Sequence, residues 1–233
     1  MFNSVSDAKK IISVLQNSLI REDECTDTEV YSLIDALNQI FEIIVAVNKR
    51  DEVLTAGEIT ATGEQGLLLT DHLIDKLIML NISQHKHAIE QVALVIANWV
   101  IKHNGQLVNI QSVVDGLAYI ANAIDDKVSL LQLSVFLNQV AHACQDDIQY
   151  DLDNADPSRP WRTLNMNRGI VATRTHDPEI MQTVFVELIK AIPLDAPVFF
   201  KEGLSEMLRQ NYPEPVRELI QLFYDKTQSP VLH

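Results

Sequence analysis

Cysteine is almost missing from this chain of 233 residues. Cys25 and Cys144 are too few for a disulfide scaffold and too far apart for a zinc-finger or Cys-x-x-Cys pattern, so a reducing compartment is the default expectation. Glycine (7) and proline (8) are scarce, which excludes collagenous and low-complexity classes. Basic residues are short too: 18 Lys+Arg face 32 Asp+Glu, a net charge of −14. Phosphate backbones repel such a surface, and no basic run offsets it, so nucleic acid is not expected as a direct partner. Apolar runs stay well below the roughly 20 residues of a bilayer span. The longest nearly continuous one, 92–101, is interrupted by Asn98. The opening Met1-Phe2-Asn3-Ser4 has no basic stretch followed by an apolar one, so neither a secretory signal nor a membrane span is expected, and the location is read as cytoplasmic.

What the chain does have is 47% hydrophobic residues, spaced at the helical period nearly throughout. Val30, Leu33, Ile34, Leu37, Ile40, Phe41 and Ile44 form one stripe in 26–47, with Thr26 and Glu29 as its capping box. An earlier helix opens at Ser6 or Asp7 and runs to Leu19. Gly57, Gly63 and Gly66 read as a polar connection to a third helix, 67–80. The segments 86–103, 107–124 and 127–149 are apolar around most of their circumference and should form the central layer, with a core of Val92, Leu94, Val95, Ile96, Leu117, Ile120, Leu133, Phe136, Leu137 and Val140. Asp177-Pro178 opens a helix over 179–191, Asp195 and Pro197 open another, and Val216, Leu219, Ile220 and Phe223 mark the last. Thr227 to His233 reads as a tail. The predicted fold is all-α, about nine helices and about 65% helix, arranged as antiparallel helix pairs (αα-hairpins) or a degenerate α-α superhelix.

Residues 150–176 show no convincing period and read as a long loop, with Gly169 to Thr173 its nearest approach to a strand. Charge divides the chain at the same place. Residues 1–100 carry 7 basic against 15 acidic side chains, 101–157 carry 2 against 8, and 158–233 carry 9 against 9. This suggests an acidic body of about six helices, 1–157, and a neutral module, 158–233, with the arginine-rich loop and three helices docked on the body.

That loop is the first candidate site. Asp146, Asp147, Asp151, Asp153 and Asp156 are followed by Arg159, Arg162, Arg168 and Arg174, with Trp161 among them. Guanidinium groups hold carboxylate or phosphate bidentately, and an indole stacks on a ligand or peptide. The competing reading has the arginines paired internally with aspartates and helix ends. Phe199, Phe200 and Met207 at helical spacing read either as core or as an apolar groove for a partner helix. His142 and Asp146 at i and i+4, or His85 and His87, could begin a metal site but lack the remaining ligands. Cys144, two residues from His142, points to another helical face. Cys25 sits among Glu22, Asp23 and Glu24, which disfavour its thiolate. Asn98 inside an apolar helix is either hydrogen-bonded across the core or at a surface notch. No nucleophile elbow, phosphate loop, dinucleotide fingerprint, zincin or EF-hand pattern occurs, so no catalytic residue, metal or cofactor is expected. The expected function is a non-catalytic protein-interaction subunit (adaptor, chaperone-like or scaffold) whose partner is another protein of unknown identity, with a homo-oligomer left open. The alternative is a binder of an anionic small molecule, or an enzyme acting on one, using Arg159 to Arg174.

Overall fold

The computed structural model describes residues 4–21, 27–51, 53–152 and 154–228. The protein is all-α, 80% helical, with no strand among the described residues. Its helices are α1 (Val5–Arg21), α2 (Thr28–Lys49), α3 (Ala56–Met79), α4 (Lys86–Lys102), α5 (Gln111–Ala123), α6 (Lys127–Ala143), the single turn α7 (Asp146–Gln149), α8 (Pro160–Arg174), α9 (Pro178–Ala191), α10 (Ala196–Gln210) and α11 (Glu214–Gln228). By internal contacts the chain forms two compact units. Unit 1 is Met1–Ile120 with Ala143–Gln145, and unit 2 is Ala121–His142 with Asp146–His233. The charge boundary at 157/158 therefore lies inside unit 2.

In unit 1, α1 packs on α2 and α4, and α3 packs on the same two helices, so the four close into a ring. Ser4 and Asp7 start α1 reciprocally: Asp7 N–H donates to Ser4 Oγ (3.2 Å) and Ser4 N–H to the Asp7 carboxylate (2.9 Å). Asp27 caps α2 by accepting from Glu29 N–H at 2.8 Å; Thr26 of the expected capping box lies outside the described residues. On length and composition α2 is apolar enough to cross a membrane. Its stripe Val30, Ile34, Leu37, Ile40, Phe41, Ile44 and Val47 is buried within the protein.

The expected connection before residue 67 is instead the first half of α3. A capping box starts that helix: Thr55 N–H donates to Glu58 Oε2 (2.8 Å), and Glu58 N–H returns to Thr55 Oγ1 (3.3 Å). Glycine inside a helix costs about 1 kcal/mol against alanine, and here two of them allow close approach. A Cβ on Gly63 would stand 2.2 Å from Val100 Cγ2, and one on Gly66 would stand 3.1 Å from Ile96 Cδ1. The backbone of α3 thus lies directly against α4.

A short excursion explains why Ala143–Gln145 belongs to unit 1. Leu107 N–H donates to Ala143 C=O (2.7 Å) and Gln145 N–H donates to Leu107 C=O (3.0 Å), an isolated parallel bridge at Cys144. That bridge ends α6 at Ala143, where the sequence predicts a helix continuing to 149.

Unit 2 holds the second correction. Residues 158–176 are not a loop, because Pro160 begins the 15-residue helix α8, and the strand-like Gly169–Thr173 lies within it. The segment lacks a hydrophobic period because its buried side includes Asn165, Arg168, Gly169 and Thr173 beside Trp161, Leu164, Val171 and Ala172. The unit's apolar centre is aromatic. Phe185 of α9 meets Phe200 of α10 edge-on at 5.1 Å and Phe223 of α11 at 5.3 Å, and Phe200 stacks on Phe223 at 5.6 Å. Nine of the ten expected core residues are buried across the two units; Ile120 is half-buried. Of the expected tail, Thr227 and Gln228 continue α11, and 229–233 lie outside the described residues.

Candidate functional site

The four arginines sit on or at the cap of α8, and each is committed within unit 2. Arg159, the N-cap, is 5% exposed. Its Nε and Nη2 donate to Asp151 at 2.5 and 2.8 Å, Nη2 also donates to Asp195 at 2.6 Å, and Nη1 reaches Asp156 C=O at 2.9 Å. Arg162 Nε donates to the other Asp195 oxygen at 2.7 Å, and its Nη1 to Pro157 C=O at 3.1 Å. Two guanidiniums thus share one carboxylate at the start of α10. Burial pushes the Asp195 carboxyl up, but the hydrogen bonds from Arg162 and Arg159 outweigh it and hold the group below the usual carboxylate range. The hydrogen bond to Asp151, helped by the one to Asp195, raises the Arg159 guanidinium above its ordinary value against an opposing desolvation effect.

Further along α8, Arg168 (3% exposed) donates to Asn138 Oδ1 of α6 (3.0 Å), to Asn165 Oδ1 (2.8 Å) and to Glu187 of α9. Glu187 also faces His142 Nε2 at 3.3 Å. Arg174 closes the C-terminal end of α5, donating to the carbonyls of Ala121 and Ile124 and to Asp125 at 2.8 Å. This is the favourable place for a cation, since terminal helix carbonyls lack backbone donors. Trp161 is buried and its Nε1–H donates to Ala191 C=O at the end of α9 (3.1 Å). The internal partners that sequence spacing did not reveal are Asp195, Glu187, Asn138 and the α5 carbonyls. They lie between 19 and 53 residues away in the chain, beyond any local pattern.

One cavity brings the two groups of candidates together. A cleft of about 660 Å³ in unit 2 is lined by Met166, Ile170, Arg162 and Arg174 of α8, by Phe199, Glu202, Glu206 and Met207 of α10, and by Tyr212, Ile220 and Asp125. Phe199 and Met207 are nearly buried, at 8% and 4% exposure, and form its floor; Phe200 is at 0% and belongs to the aromatic core instead. Ile170 is 45% exposed at its mouth. Gly169 allows the floor to form, because a Cβ there would meet Phe199 Cζ at 2.4 Å. Of the α8 arginines, only Arg162 and Arg174 line the cleft; Arg159 and Arg168 do not.

The remaining candidates stay apart. His142 is near the end of α6 while Asp146 begins α7, so they do not share one helical face. His87 Nδ1 bonds Glu90 at 2.6 Å and its ring stacks on Tyr119 at 3.8 Å. No group of three or more His, Cys, Asp or Glu side chains among the described residues is placed to hold a metal ion. Cys144 is buried and in no disulfide; Cys25 lies outside the described residues. No protein-family model, curated protein or solved structure significantly matches the chain.

Proposed function

We propose that the chain is a non-catalytic protein-interaction subunit, and that the α8/α10/α11 cleft takes an amphipathic helix of a partner protein with basic residues flanking its apolar face. The observation that carries this is the cleft's composition. Its floor is Met166, Phe199, Met207 and Ile220 with Ile170 at the mouth, and three carboxylates, Asp125, Glu202 and Glu206, line it against the two guanidiniums of Arg162 and Arg174; the Asp125 side chain is 97% exposed. Helix-in-groove recognition needs an apolar floor of this kind, and an excess of carboxylates favours a basic partner. Adaptor, chaperone and scaffold roles all fit. The cytoplasmic location, the absence of a nucleic-acid or membrane partner and an open oligomeric state belong to the same proposal.

A second reading keeps the anionic ligand, because Arg162 and Arg174 line the same cleft. Both already hold carboxylate and carbonyl acceptors, so an incoming anion would have to displace internal partners.

Photo-crosslinking from position 170 in the full chain, expressed in its own cells, tests the proposal. The expected product is a stoichiometric adduct to a basic amphipathic helix of one protein. A chain that yields no adduct but carries a bound anionic metabolite favours the second reading.

A further inference from the structure

Unit 1 contains a cavity of about 320 Å³ where the start of α1, the end of α2 and the last turns of α4 meet, lined by Ser4, Val5, Asn48, Val95, Asn98, Trp99, Lys102 and His103. Three features set it apart. Trp99 is 3% exposed, yet its Nε1–H has no acceptor among the described residues. Buried indole donors almost always find one, since an unmade hydrogen bond forfeits the hydration the group has lost. Among the described residues the wall includes no aspartate or glutamate, although the chain has 32 of them to 18 basic residues. Lys102, by contrast, contributes a cation. His103 Nδ1 donates to Trp99 C=O at 2.9 Å, which leaves its Nε2 for other contacts. Asn98, the polar break in the longest apolar run, therefore lies at a notch, and it shares this cavity.

We propose that the cavity binds a small monocarboxylate. Its carboxylate would accept from the buried Trp99 Nε1–H and from Lys102, with the amides of Asn98 and Asn48 as further donors. Val5, Val95 and the indole face supply an apolar wall for a short hydrocarbon portion. One cation matches one negative charge, which favours a carboxylate over a phosphate dianion. The volume is at the small end of ligand pockets, so the ligand is a compact acid. The site is in the other unit from the cleft and does not depend on the function proposed for it.

The two tryptophans give two indole N–H resonances. Trp161 already has its acceptor in Ala191 and serves as an internal reference. Sodium butyrate titrated into the full-length chain at constant ionic strength should move one indole proton downfield, saturably, and leave the other in place. Trp99→Phe should remove the responding peak. Lys102 is exposed, so Lys102→Gln should fold normally and weaken binding about tenfold or more. No saturable shift, an equal response to butyramide or sodium chloride, or unchanged affinity in Lys102→Gln would overturn the proposal. Tighter binding of inorganic phosphate than of butyrate would overturn the carboxylate assignment.

Discussion

Helices α4 and α8 each bury more than half of their residues, 10 of 17 and 8 of 15, but with different chemistry. The buried set of α4 is apolar except for Glu90, and its neighbour α3 comes close enough to need glycine at the contact. The buried set of α8 includes Asn165, Arg168 and Thr173, and the helix is tied by directed hydrogen bonds to α5, α6, α9 and α10. Burial in unit 1 rests mainly on shape and apolar area. In unit 2 it also rests on charge pairs that stabilise only while every partner is present. A buried pair loses about 3 to 5 kcal/mol when one partner is deleted, although the intact pair is itself worth little.

The largest expected effect follows from that asymmetry. Asp195→Ala strips Arg162 of its carboxylate and Arg159 of one of two, without removing a helix cap, because the Asp195 side chain caps nothing. It should cost about 3 kcal/mol, the lower end of the range because Arg159 keeps Asp151. Urea unfolding measures it, and a loss under 1 kcal/mol would place the network at the solvent-screened surface.

Next in size is Gly63→Ala in unit 1. The substitution gains about 1 kcal/mol of helix propensity, but its Cβ would overlap Val100 Cγ2, and overpacking a core costs about 1 to 3 kcal/mol. Val100 is β-branched and has few alternative rotamers, so a net loss is expected. A more stable variant would show that α3 and α4 can part freely.

These two sites also show what the sequence made legible. The stripes of α1, α2, α4, α9 and α11 could be read because water exclusion acts on apolar side chains, and those recur every 3.6 residues. Around α8 polar and apolar side chains share the buried side, and its arginines find partners as far as 53 residues away, so no clean hydrophobic period exists to be read. Pro160 at the first helical position was the one local signal available. At the start of α3 the glycines mimic a connection, although Thr55 and Glu58 spell a capping box. For the candidate site, the arginines and aromatics could be singled out by type. That Arg159 and Arg168 are structural, whereas Met166 and Ile170 face a cleft, depends on tertiary placement.

A pH series sharpens the contrast between the units. The folded-state pKa of Asp195 is depressed, so its contribution is full above the unfolded carboxyl value of about 3.9 and fades as pH falls through the lower folded value. The difference in melting temperature between wild type and Asp195→Ala should hold steady from neutral pH to about 5 and shrink below about 4. A difference that grows on acidification would reverse the assigned sign. The smallest effect belongs to Lys9→Ala, which removes the exposed 2.5 Å pair with Glu42 in unit 1. Solvent and salt screen such a pair, and calorimetry should find a smaller loss than for either variant above.

The central functional claim rests on the cleft, and Ile170 is the residue with which to test it. The side chain is 45% exposed, so Ile170→Glu should leave the melting temperature within about 1 °C of wild type, as surface substitutions usually do. It would also place a charge at the apolar mouth of the cleft. Tagged wild-type and Ile170→Glu chains, recovered in parallel from the protein's own cells, should differ in one respect: a stoichiometric protein accompanies the first and is missing from the second. Equal recovery of that protein with both chains would contradict the account.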